Sequence, residues 1–555
     1  MSLRNRTIML KNPSDLLRLI YQWVEPNLAR FNTDRQLQVW LVAVLVGFAV
    51  SIATIVFREL IGLVQWTWLM ERSENVLSAV EKVPWYYVLL APVVGGAIVG
   101  WMLENLLPQR RAGGVSDVME ARVVHGKDVE LQPALMSAAV TAVSLGAGAS
   151  AGREGPMVHL AAGLSTAMIR KFNLPSWSRN TLLASGVAAA VSASFNAPIA
   201  GVLFAHEIIL GHYARRSFVP IVIAAVGGTI FSRLWFGDVA AFIVPEYQIT
   251  SYWEFPAFAL LGLVCAFISV IFQFAIVGTD YVARNINIDL FYRPIIGGFL
   301  IGLIALMYPQ ILGVGYEATD QALKNELGLW LMISLIVAKI AATAITLASR
   351  FGGGVFSPAL YLGALTGGAF GLIATGMFPE LSSSDGLYAI LGMGAVAAAV
   401  LGAPFSTTMI VFELTGGYTL TIALLLAVSI STGINQAIHG HSFFEWQLEM
   451  RGIFLGDGPH RYLMRSIKVS DFMVKPEEQN EVQSLEADEE GNLPQHLKSS
   501  DNLETALRSF DESGTPSLPV IEGQKLQIVA TATQNDALRT FNSELCAASE
   551  EEHRG

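Results

Sequence analysis

The chain has 555 residues, of which 53% are hydrophobic and 15% charged, with a mean hydropathy of +0.49 and a formal net charge of −11. It is too apolar and too sparsely charged for an ordinary soluble protein, and no basic groove or aromatic ladder argues for a nucleic-acid partner. Two cysteines, Cys265 and Cys546, far apart in the chain, exclude a disulfide framework and a thiolate metal cluster.

The start is basic (Arg4, Arg6, Lys11, Arg18), but the first apolar run begins only near Val39. Residues 1–38 are therefore expected to be a cytosolic segment without a secretory leader. Spanning-length apolar runs follow at Val39–Phe57, Trp85–Leu103, Phe218–Leu234, Phe258–Val277, Pro294–Met307 with its flanks, and Leu329–Thr346. Shorter runs bounded by Gly and Pro, such as Val187–Ala193 and Ala395–Leu401, read as tilted or half-length helices sheltered inside protein. In Phe57-Arg58-Glu59, Glu59 reads as an edge residue paired with Arg58.

Three Gly-rich breaks interrupt the apolar pattern: Ala112–Ser116, Gly152-Arg-Glu-Gly-Pro156 and Gly352–Pro358. Each precedes a plausible helix. If their N-termini converge, free backbone N–H groups make an anion site without a buried formal cation, and such a site can release its ion. Glu154 is a carboxylate placed where that anion would sit. When charged it plugs the route, and when protonated it can swing aside. A structural ion pair with Arg153 is the alternative, opposed by the different faces that neighbouring helical positions present.

The membrane part also repeats itself. Gly152-x-x-x-Pro156 is followed by Ala197-Pro198 and then Glu207, nine residues on. Gly354-x-x-x-Pro358 is followed by Ala403-Pro404 and, again nine residues on, by Glu413. Three matches in one order indicate a duplicated unit with the site at the interface of the halves. Whether the halves are parallel or inverted is not legible from the short runs. Glu207 and Glu413 read as structural hydrogen-bond acceptors, and His439 and His441 as loop residues.

The tail begins near Met450. From Arg461 to Gly555 it holds 18 Asp and Glu against 9 Lys and Arg, a net −9. Glu477–Glu490 reads as an acidic linker or loop. Asp501–Phe510 reads as an amphipathic helix with Leu503, Ala506, Leu507 and Phe510 on one side. Ser517–Ile521 and Leu526–Ala530 read as strands, and Gln534–Phe541 as a helix with Ala537, Leu538 and Phe541 inward.

Gly152-Arg-Glu-Gly-Pro156, Gly354-Val-Phe-Ser-Pro358 and Phe195-Asn-Ala-Pro198 together resemble the CLC family of chloride channels and proton-coupled chloride transporters, over about Val39 to Gly452. From Ile467–Met473 through Leu503–Phe541 the tail more weakly resembles a CBS regulatory module, its second unit degenerate or missing. The resemblance implies an all-α polytopic membrane protein built as an inverted repeat with tilted and half-length helices, followed by a small α/β cytosolic domain. The domains would be 1–38, 39–452 and 453–555. The protein would be a homodimer in the plasma membrane, a prokaryotic inner membrane, with one anion path per subunit and both termini cytosolic. It would transport chloride or a related anion, in exchange for protons or as an uncoupled channel. It implies no cofactor, no nucleic-acid partner and no enzymatic activity, with an adenine nucleotide possible at the tail.

By the same resemblance Glu154 is the gating glutamate, the amides of Val355 and Phe356 face the central anion, and those of Arg153 and Gly155 an outer one. Two departures bear on the central site. The family serine whose hydroxyl contacts the anion aligns with Gly113, and the family tyrosine with Phe444 (less well with Phe443). Loss of both hydroxyls predicts a weaker or less selective site, with Ser116 a possible substitute. A third departure concerns protons. Glu207 matches the first of two acids, but the second, proton-delivering position is Ile208, which leaves His206 or water as a conceivable relay. A membrane sensor without flux is the alternative from another class, and it leaves the three breaks without a purpose.

Overall fold

The computed structural model describes residues 13–72, 75–124, 128–175, 177–237, 242, 249, 251–379, 383–415, 418–455, 459–474, 494–522 and 527–553. The basic positions Arg4, Arg6 and Lys11, the acidic stretch Glu477–Glu490 and Leu526 lie outside them. The protein is a polytopic helical membrane protein with a small C-terminal α/β domain. Among the described residues seven helical segments are long and apolar enough to cross a membrane. Five of the six spanning runs read from the sequence lie in these, within Gln36–Leu69, Trp85–Asn105, Arg215–Phe236, Phe255–Asn285 and Leu329–Ala348; Pro294–Met307 lies in a shorter helix, Tyr292–Met307, and the segments Phe356–Met377 and Leu420–Glu449 were not among the runs read. The periphery carries exposed Leu, Ile, Trp and Phe side chains (Leu41, Leu45, Ile52, Trp101, Phe267, Ile271) that suit contact with lipid.

The two short runs need correction. Val187–Ala193 is the second half of an 18-residue helix, Ser178–Phe195, and Ala395–Leu401 ends a 17-residue helix, Asp385–Leu401. Both helices are buried along nearly their whole length. They read as short because Ser185-Gly186 and Gly392-Met-Gly394 interrupt the apolar pattern just ahead of them. Those small residues let neighbouring backbones approach, as where Gly363 and Gly367 of the Phe356–Met377 helix meet Gly392.

The halves are inverted, and two pairs of contacts establish it. Gly152 and Gly354 form an antiparallel bridge, each N–H donating to the other's carbonyl at 2.7 and 2.8 Å. Glu207, just past the Pro198–Phe204 helix, accepts from the amides of Phe405 (3.0 Å) and Ser406 (2.8 Å) at the start of the Pro404–Thr415 helix. Glu413, near the end of that helix, accepts from Ile199 (3.0 Å) and Ala200 (2.7 Å) at the start of the first. Each carboxylate satisfies the orphan N–H groups of the other half's helix, which requires the two helices to run antiparallel. The sequence reading of both acids as hydrogen-bond acceptors matches this geometry.

The C-terminal domain has its own apolar core, formed by Ile467, Val469, Leu503, Phe510, Val520 and Ala537 among others. Strand β1 (Leu497–Lys498), absent from the sequence reading because it is two residues long, pairs parallel with β2 (Ser517–Glu522), which pairs antiparallel with β3 (Gln527–Thr533). The helix Leu503–Ser513, capped by Asn502, connects β1 to β2, and Gln534–His553 follows β3. Leu503, Ala506 and Phe510 are buried as the period requires. Leu538 is not: it is 42% exposed, and Ala537 and Phe541 face the core without it. The 534–553 helix is longer than expected, and it packs on the Pro459–Ser466 and Leu503–Ser513 helices as well as on β3.

Candidate functional site

The Gly152–Gly354 bridge brings the N-termini of the Glu154–Phe172 and Phe356–Met377 helices together at the repeat interface. Pro156 and Pro358 occupy the first turns, where a missing N–H costs nothing. Gly152 has a steric role: a Cβ there would lie 2.7 Å from Oε2 of Glu154 and 3.0 Å from the Ser357 nitrogen. The space is reserved for the Glu154 carboxylate against the start of the second helix.

Glu154 is 2% exposed. Its Oε1 accepts hydrogen bonds from Tyr316 Oη at 3.0 Å and Ser357 Oγ at 2.6 Å, and Oε2 bonds to none of the described residues. Tyr316 was missed by the sequence reading: it lies 162 residues from Glu154, outside any of the three breaks, and only the fold carries it there. Its helix begins after a loop that a fully buried amine anchors. Lys339 Nζ donates to the carbonyls of Ile311 (3.0 Å) and Gly313 (3.2 Å) and lies 4.9 Å from the centre of the Tyr361 ring.

Two cavities flank this carboxylate. The outer one, about 140 Å³, is lined by Arg58, Glu59, Arg72, Arg153 and Tyr316 among others. The inner one, about 70 Å³, is lined by Gly113, Gly114, Ser116, Gly155, Val355, Phe356, Phe443 and Phe444, with Arg111 and Arg451 at its rim. Gly113, Val355, Phe356 and Phe444, read as the central anion site, share the inner cavity, and Gly155, whose amide was expected at the outer anion, lines it too. Arg153 does not join them. Its side chain faces the outer cavity, the guanidinium 4.9 Å from the centre of the Tyr316 ring, and makes no ion pair with Glu154. Glu59 lines the same outer cavity, and Arg58 packs on the Phe236 ring at 3.8 Å.

Phe443 and Phe444 both line the inner cavity, their rings 5.9 Å apart. Ser116 is no substitute donor. Its hydroxyl gives its proton to Gln447 Oε1 at 2.7 Å and accepts from Arg451 at 3.2 Å. Arg451 also bonds Asp117 and Glu120, and Arg111 bonds Asp117, tying the end of the Phe443–Glu449 helix to the Val115–Val123 helix. His206 lines neither cavity. Its Nδ1 bonds the His212 carbonyl at 3.0 Å and its ring stacks on Tyr213. Glu207 is committed to the Pro404 helix, so this pair forms no visible relay to Glu154. His439 Nδ1 bonds the His441 carbonyl, and His441 pairs with Glu449.

Helix N-termini from two inverted halves, meeting around a buried carboxylate between two cavities that each include arginines, define an anion-transport protein rather than an enzyme. Residues 95–436 match the family described as Voltage gated chloride channel, and the chain belongs to that CLC family. It is 32% identical over 391 residues to a ClcB-like chloride channel protein of Ralstonia nicotianae, covering 70% of this chain and 91% of that one. It is 28% identical to the H(+)/Cl(-) exchange transporter ClcA of Cronobacter sakazakii, covering 74% and 88%. Among solved structures, a slow cyanobacterial Cl-/H+ antiporter matches with a TM-score of 0.67 at 21% identity, over 74% of this chain and 97% of that one. A eukaryotic CLC transporter matches with a TM-score of 0.63 at 17% identity, over 91% and 98%.

Proposed function

We propose that the protein exchanges chloride, or a closely related anion, for protons, with Glu154 as the gate. The observation that carries the reading is the seat of Glu154: a carboxylate held by Tyr316 and Ser357 in the gap between two anion-attracting cavities. Charged, it occupies the anion's place on the Phe356 helix N-terminus. A proton removes its charge, weakens both hydrogen bonds and frees it to swing toward the outer cavity. The anion then passes the amides of Val355 and Phe356, with Gly113, Gly155 and Phe444 lining the inner approach and Arg153 attracting it from outside. An uncoupled channel is the competing reading, since relatives of both kinds resemble this chain.

Residues 39–452 form the transport domain in this reading, two copies assemble as a homodimer, and both 1–38 and 453–555 face the cytosol of a plasma membrane. The β-α-β-β-α order of the tail supports a single CBS-like unit. An adenine nucleotide is its candidate ligand. Paired chloride and proton flux in proteoliposomes tests the gate: Glu154→Gln is expected to retain anion flux and to lose both pH dependence and proton movement. Unchanged pH dependence and unchanged coupling would reject the role of Glu154.

A further inference from the structure

A third cavity, about 290 Å³, adjoins the inner one, Arg111, Gly113 and Asp117 lining both, and Asp117 bonds Arg451 where the tail begins. Arg111, Asp117, Asp128, Glu130, Ser137 and His159 supply its polar lining. It opens beside the exposed Gln109 and Glu130 and ends on the ring of His159, which is 8% exposed. Nδ1 of that ring is buried and bonds to none of the described residues. The imidazole presses against Gly113 so closely that a Cβ at 113 would lie 2.5 Å from Nε2 and 2.6 Å from Nδ1. Gly113 also walls the inner ion cavity. A single residue without a side chain therefore separates a buried, titratable ring from the anion path, while Ile208 offers no proton site and His206 is turned away.

We propose that this cavity is the inner proton entry and that His159 carries the proton across the Gly113 wall. The proposal rests on the exchange reading of the previous subsection. Water in the cavity protonates one ring nitrogen of neutral His159. The imidazolium gives up the proton on its other nitrogen to water in the ion cavity and returns to the neutral ring, and the proton ends on the Glu154 carboxylate. Imidazole suits the task because it donates at one nitrogen while accepting at the other, near neutral pH. The charges facing it are mixed. Burial opposes the protonated ring, Asp117 favours it, and Arg111 and Arg451 oppose it; at the mouth Asp128 is paired with Arg170 and Arg179, and Glu130 is exposed.

The test is the ratio of protons to chloride moved by reconstituted full-length protein across a range of internal pH. His159→Gln is expected to lower that ratio and flatten its pH dependence, and Ile208→Glu in the same background to restore it. Gln109→Trp, which narrows the mouth without touching the buried ring, is expected to lower the ratio too. A wild-type ratio retained in both His159→Gln and Gln109→Trp would overturn the proposal while leaving exchange intact. Wild-type protein that moves chloride but no protons would instead overturn the exchange reading, and this one with it.

Discussion

Gly113→Ser would restore the family's hydroxyl, yet the structure predicts that it damages the protein. The new Cβ would lie 2.5–2.6 Å from the ring nitrogens of His159, whereas ordinary contact begins near 3.4 Å, so the ring must retreat by almost an ångström. It is 8% exposed and sits within a packed helix, and overpacking of this kind typically costs about 1–3 kcal/mol. Removing the ring should relieve the clash. Gly113→Ser with His159→Ala is therefore expected to melt higher than the sum of the two single losses predicts, with a coupling of about 0.5–3 kcal/mol. In that background the serine hydroxyl is free to meet the anion. A recovered charge-assisted hydrogen bond of about 1.5 kcal/mol corresponds to roughly tenfold in Kd. Thermal unfolding in detergent gives the first quantity and chloride calorimetry the second. Gly113→Ser melting with the wild type, or additive losses in the double variant, would refute the steric argument. Unchanged chloride affinity in the double variant would refute the role of the hydroxyl, as would the same result after adding Phe444→Tyr.

Two further outcomes follow from named contacts. Tyr316→Phe removes one of two hydrogen bonds to the Glu154 carboxylate, so about 1.5–3 kcal/mol of the hold on the seated gate is lost; anion flux at neutral pH should rise, and flux equal to wild type would mean that Tyr316 does not hold the gate. Asp128, in the loop before the Leu131–Gly146 helix, is pulled up by partial burial, but its bonds to Arg170 and Arg179 win and hold its carboxyl below the usual range. A depressed carboxyl stabilises above its unfolded pKa and loses that contribution as pH falls through the folded one. Asp128→Asn should therefore lower the melting temperature at pH 7 by an amount equivalent to at most about 1 kcal/mol, given the partial exposure of the pair. The difference from wild type should vanish below the carboxylate range, and a deficit that persists in acid would assign it to packing instead.

The apolar period made the membrane helices legible, since lipid tolerates few alternatives to a continuous helix. The repeat was legible from Pro198, Glu207, Pro404 and Glu413, but its inversion was not, because offsets along a chain carry no direction in space. The breaks announced Glu154, Val355 and Phe356, as glycine and proline have local backbone reasons to stand where they do. Tyr316, Lys339 and the ring of His159 had no such signal. Tyr316 acts from 162 residues away, Lys339 sits alone in an apolar helix, and His159 gains its meaning only from the missing side chain at Gly113. Arg153 and Gly155, read together at the outer anion, part company: the Arg153 side chain lines the outer cavity and Gly155 the inner one, since nearness to Glu154 in sequence says nothing of which cavity a residue enters.

The crossed carboxylates, Glu207 on the Pro404 helix and Glu413 on the Pro198 helix, also bear on how the protein is made. The first half is synthesised with the Pro198 helix start lacking its acceptor, and that acceptor lies 214 residues further along the chain from Ile199. Until it arrives, those amides lack the carboxylate that satisfies them in the finished fold. Completion of the second half therefore locks the first, and the same two contacts hold the halves in register around the ion path. A duplicated gene could not later be divided into independently stable halves without first replacing both.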